Sequence, residues 1–129
     1  MTQFISAISL IVPDYDQAID FYVGLMGFEL FEDTPLSDEE RLVLVAPSGS
    51  TETRIRLSLA SNEAQEEVIG EQAGNGVFMF LETYDFDGDI ALMERAGVDI
   101  IEEPRFEDHG KLAIFRDPFG NKWELLERH

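Results

Sequence analysis

Apolar and polar positions alternate from residue 4 to 12 in a stretch rich in Ile, Leu and Val, the period-two pattern of a half-buried strand. The period then lengthens. Ala18, Tyr22, Leu25 and Met26 recur at spacings of three or four, which predicts a helix over 14–26. Asp14 or Asp16 is placed to cap it, and Gly27 stands where a helix C-terminal glycine belongs. Strands are predicted next at about 28–34, 40–46 and 53–60. The same order of elements then returns: strand 76–83, helix 86–96, Gly97, and strands near 99–106, 110–116 and 121–127. Residues 61–75 form a connector with room for one helical turn.

The two halves also match residue by residue. Asp14-Tyr15-Asp16 falls on Asp85-Phe86-Asp87, and Ile19 on Ile90. The run from Gly27 to Asp33 falls on that from Gly97 to Glu103, and Arg41 to Val45 on Lys111 to Phe115. Pro47-Ser48-Gly49 meets Pro118-Phe119-Gly120, and Ile55-Arg56-Leu57 meets Trp123-Glu124-Leu125. Each half is therefore a βαβββ module whose helix covers one sheet face only. Two such modules solve the exposure of the other face by enclosing a cavity. The predicted fold is α+β, with tandem βαβββ modules forming a curved mixed sheet around a central cavity. One domain spans 1–129, with module 1 at about 3–60, the connector at 61–75 and module 2 at about 76–128.

Two motifs carry a family resemblance. Ile11-Val12-Pro13-Asp14, Ala18-Ile19-Asp20-Phe21-Tyr22 and Gly27-Phe28 are similar to the opening of vicinal oxygen chelate (VOC) proteins. Phe115, followed by Asp117-Pro118-Phe119-Gly120-Asn121-Lys122-Trp123-Glu124-Leu125, is similar to their close. That superfamily includes glyoxalase I, extradiol dioxygenases, and bleomycin and fosfomycin resistance proteins. The resemblance implies a glyoxalase-like fold. In metal-using members, each module supplies one ligand from its first strand and one from its last. Carried over, those positions are Ala7, Val77, Arg56 and Glu124. Only Glu124 has a metal donor, so no metal and no cofactor are expected; a divalent metal is the alternative that would need other ligands.

Alternation sorts the strands into faces. Ile55, Leu57 and Leu59, Trp123 and Leu125, and Phe78 and Phe80 are assigned to the core against the helices. Ala7, Ser9, Ile11, Arg56, Ser58, Val77, Met79, Leu81, Glu124 and Leu126 are assigned to the cavity. Two roles compete for Arg56: an ion pair with Glu124, or a planar fork for a carboxylate or enolate oxygen of a small, mostly apolar molecule. Glu124 and His109, beside Gly110 in a hairpin, are the acid–base candidates if there is catalysis. The only other histidine, His129, is expected in solvent at the C-terminus.

Bulk properties trim the functions. The 129 residues contain no cysteine, which removes disulfides, thiolate zinc, iron–sulfur clusters and a cysteine nucleophile. Nine basic residues face 27 acidic ones, for a net charge of −18. Such a surface repels nucleic acid and anionic membranes, so neither is an expected partner. With no signal-like start and no membrane-spanning run, the expected location is the cytoplasm. The leading expectation is a VOC protein of the glyoxalase/bleomycin-resistance kind that binds a small molecule without the family metal. A lyase- or dioxygenase-like metal enzyme and a non-catalytic dimeric binding subunit are the alternatives, and a homodimer is expected in any case because relatives commonly pair.

Overall fold

The computed structural model describes residues 2–128. His129, and with it the expectation of an exposed C-terminal histidine, lies outside the described residues. The chain divides into two compact units, Met1–Ile69 and Gly70–His129.

In the first unit, β1 (Ala7–Val12), β2 (Glu29–Pro35), β3 (Arg41–Ala46) and β4 (Arg54–Leu59) form one sheet in the order β1-β4-β3-β2. β1 runs parallel to β4, and the other neighbours are antiparallel. The helix between β1 and β2 starts as α1 (Tyr15–Ile19), with Asp14 Oδ2 accepting from the Gln17 backbone N–H at 2.8 Å. It continues over Asp20–Leu25 as a π-helix, closed by a bond from the Met26 N–H to the Phe21 carbonyl. The wider turn departs from the predicted spacing. It buries the consecutive Phe21 and Tyr22, rings edge to face at 4.9 Å, and leaves Leu25 exposed. Gly27 follows at φ +77°, a conformation that favours glycine.

The second unit repeats the plan. Its sheet orders β6 (Val77–Glu82), β9 (Lys122–Arg128), β8 (Gly110–Arg116) and β7 (Asp99–Glu107), with α3 (Phe86–Ala96) after β6. Buried Phe115 and Trp123 stack at 5.9 Å in its core. The connector holds more than one helical turn: α2 (Glu63–Val68) and a short strand, β5 (Gln72–Asn75). The tight turn before β9 is organised by buried Asp117, whose carboxylate accepts from the backbone of Phe119, Gly120 and Asn121 and from the Asn121 amide.

Even irregularities repeat. β2 is bulged between Leu30 and Glu32, and β7 between Ile100 and Glu102, the positions that the sequence repeat superimposes. A bulge in β6 corrects the sequence reading. Val77 pairs with Lys122, but Met79 pairs with Trp123, so the register slips by one at Phe78. Beyond that point the faces invert. Met79 and Leu81 lie on the Trp123 and Leu125 side, whereas Phe80 joins Glu124 on the opposite side and is 66% exposed. Phe80 is not core, and Met79 and Leu81 are not on the cavity face that alternation assigns them.

Candidate functional site

β1 and β4 of module 1 lie side by side with Leu10, Val12, Ile55 and Leu57 buried on the helix side. Their opposite face carries Ser9 next to Arg56 and Ile11 next to Ser58. These four residues floor a cavity of roughly 730 Å³, well within the range of small-molecule sites. Its walls come from parts of the chain that the strand pattern leaves out. One is the turn between β2 and β3, with Ser37, Glu39 and Glu40; the other is the start of α2, with Glu63 and Glu66. Both walls are tied locally. Ser37 Oγ accepts from the Glu40 N–H at 3.1 Å, and Asn62 Oδ1 accepts from the Gln65 N–H at 2.9 Å. Gln65 Oε1 in turn accepts from the Ser61 N–H at 2.8 Å.

Two arginines line the cavity, in opposite states. Arg41 is held by two carboxylates: its guanidinium grips Asp33 at 2.7 and 3.0 Å and reaches Asp16 at 3.0 Å. Its backbone N–H donates to the Tyr15 hydroxyl, and its charge lies over the Tyr15 ring at 5.1 Å. Hydrogen bonds from Arg41 hold the Asp33 carboxyl below the ordinary carboxylate value, and Asp33 and Asp16 together raise the Arg41 pKa. Arg56 is loosely held by comparison. Its nearest charged partner is Glu40, at 3.9 Å, with the Arg56 side chain 39% exposed. Among the described residues, the hydroxyls of Ser9 and Ser58 make no hydrogen bond. The floor thus offers a planar five-donor fork and two hydroxyls ready for a ligand.

The remaining predicted residues fall elsewhere. Ala7 is on the floor's face but next to Arg54, one pair further along. In module 2, Glu124 is half-buried between Phe80 and Ile114, and Val77 stands beside Lys122. His109 is exposed in the turn between β7 and β8. The β8–β9 ladder sets Gly110 opposite Arg128 and Ile114 opposite Glu124, so Gly110 is ~13 Å along the strands from the Glu124 position and His109 lies beyond it in the turn. His109 and Glu124 do not share a proton within the module. Glu39, Glu40, Glu63 and Glu66 had not been singled out; their one signal in the sequence is a pair of acidic runs flanked by Ser37 and Asn62, residues that organise turns and caps.

The family's metal finds no home in these residues. Ala7 and Val77 have no donor atom, and Arg56 is a cation, which leaves Glu124 alone. Among the described residues, no group of three or more His, Asp or Glu is placed to hold a metal ion. No helix among them is long and apolar enough to cross a membrane.

A family model for the Glyoxalase/Bleomycin resistance protein/Dioxygenase superfamily matches residues 4–125. The chain belongs to this superfamily. An uncharacterized protein of Shewanella frigidimarina (strain NCIMB 400) is 44% identical over 128 residues, 98% of this chain and 95% of the relative. A superfamily member from Sphaerobacter thermophilus DSM 20745 has a solved structure that superimposes with a TM-score of 0.78 at 28% identity, over 98% of each chain. TnmS3, an antibiotic binding protein from Streptomyces sp. CB03234, superimposes at 0.75 with 29% identity, over 100% of this chain and 99% of that one. Both likenesses agree with the two-module, glyoxalase-like architecture.

Proposed function

We propose that this superfamily member binds a small organic molecule on the β1–β4 face of module 1, and does so without the family's metal. The observation that carries the reading is the contrast between the two arginines of the cavity. Arg41 is tied by three hydrogen bonds to Asp33 and Asp16, while Arg56, with Glu40 no nearer than 3.9 Å, lines the same cavity face as Ser9 and Ser58. A half-exposed fork of this kind recognises oxygen acceptors on a ligand. TnmS3, described as an antibiotic binding protein, supports binding rather than turnover as the role. A thermal-shift screen of small polar and aromatic molecules, repeated on Arg56→Ala, tests it. Hits should lose their shift in the variant while its unliganded melting temperature stays put. Hits that persist unchanged in Arg56→Ala would move the site elsewhere. Elemental analysis of the dialysed protein tests the lyase- or dioxygenase-like alternative, which requires near-stoichiometric metal.

A second reading, the dimeric binding subunit, has its own observation. Phe80 presents an aromatic ring that is 66% exposed beside Glu124 on the sheet face of module 2. We propose a homodimer that covers it. Light scattering on the wild type and on Phe80→Ser is the check, with a dimer expected for the first and a shift toward monomer for the second.

A further inference from the structure

We propose that Asn75 is a self-modification site: it converts to aspartate and isoaspartate through a succinimide formed with the Gly76 backbone nitrogen, and Lys122 promotes the step. The chain holds three asparagines, in three different settings. Asn62 caps α2 through its Oδ1 and is followed by Glu63. Asn121 is 1% exposed, donates its amide to Asp117 and is followed by Lys122. Asn75 and Gly76 are both exposed, and the Asn75 side-chain amide makes no hydrogen bond among the described residues. Gly76 carries no Cβ to shield its nitrogen, which is the attacking atom.

The peptide between these two residues is polarised. The Lys122 ammonium donates to the Asn75 backbone carbonyl oxygen at 2.9 Å, and among the described residues no ion pair competes for its charge. That oxygen is conjugated with the Gly76 nitrogen, so a cation held on it favours the anion left when the N–H proton departs. The steps balance with water as co-reactant. Hydroxide takes the Gly76 amide proton, the nitrogen attacks the side-chain carbonyl carbon of Asn75, and ammonia leaves as the ring closes. Water then opens the ring at either carbonyl, giving aspartate or isoaspartate. One restraint opposes closure, a turn bond from the Gly76 N–H to the Ala73 carbonyl at 3.1 Å. Isoaspartate lengthens the main chain by one carbon just before Val77, the residue that pairs with Lys122 at the start of β6.

The intact protein is incubated at mildly alkaline pH and digested at intervals. Mass spectrometry reads the amide-to-acid gain at each asparagine, and chromatography separates aspartate from isoaspartate. Asn75 should convert while Asn62 and Asn121 persist. Gly76→Ala should slow the conversion severalfold with the fold kept, because Gly76 is not at positive φ and an added Cβ would meet only the Ala73 carbonyl oxygen, at 3.4 Å. Lys122→Met should slow it about three-fold, the scale of an exposed charge contact, and Lys122→Arg should restore it. Conversion of Asn75 no faster than that of Asn62 and Asn121 would overturn the site. Equal or faster conversion in Lys122→Met would overturn the role of Lys122, because a lysine that merely steadies the turn holds the reaction back.

Discussion

The two modules share a scaffold down to single ion pairs, yet they put different chemistry on the sheet face away from the helix. In module 1, Arg41 at the start of β3 reaches back to Asp16 in the first turn of α1. In module 2, Lys111, its repeat mate, reaches back to Asp87 in the first turn of α3 at 3.2 Å. Both modules thus pin the start of the helix to the same strand. The pins differ in strength. Arg41 uses its fork on Asp33 as well, and Tyr15 accepts from its backbone N–H; Lys111 is a point charge with one exposed carboxylate, and Phe86 has no hydroxyl to add. The outer faces diverge further. Module 1 presents Ser9, Arg56 and Ser58 under a cavity, whereas module 2 presents Phe80 and Glu124 beside buried Leu112, Ile114 and Leu126 on the same face. A duplicated module keeps what positions its helix and is free to change the face that meets a ligand or another surface.

The core should show the largest effect. Trp123→Ala removes a ring that is 2% exposed and stacked on Phe115, and is expected to cost ~4 kcal/mol in denaturant unfolding. A loss below ~1 kcal/mol would mean that module 2 relaxes around the gap and its core is not the tightly packed one described. The ion-pair pins come next. Arg41→Ala should cost ~1–2 kcal/mol, because a bidentate pair and a helix tether go together, while Lys111→Ala should stay within ~0.5 kcal/mol. Equal losses for the two would erase the difference between the modules.

The smallest effect is one of pH. Asp33 titrates below the ordinary value because Arg41 hydrogen-bonds its charged form. Its contribution is therefore fully present above the unfolded value, near pH ~4, and disappears as the pH falls through the lower folded value. Melting temperatures taken down this range should drop more steeply for the wild type than for Asp33→Asn; parallel curves would show that the pair does not stabilise the fold.

Much of this was legible in the sequence because its causes are local. The caps at Asp14, Gly27 and Gly97 and the turn at Asp117 each act within a few residues, and the structure uses all of them. The repeat was readable for the same reason, since matched elements need matched periods. Ser58 and Arg56 were correctly placed on one face because β4 is regular against β1. Met79 and Phe80 were exchanged because one bulged residue at Phe78 reverses every face after it, and nothing in the alternation marks it.

The amino-acid sequence by itself determined the order of elements, the duplication and the superfamily, all of which rest on periodicity and short-range motifs. Only the tertiary structure decided which arginine is gripped by two carboxylates and which is loosely held. Asp33, Asp16 and Tyr15 meet Arg41 across as many as 26 positions of chain, and the glutamates of the β2–β3 turn and of α2 line one cavity. Those encounters depend on strand register and on where loops return, and a charge in a linear sequence does not reveal its neighbours.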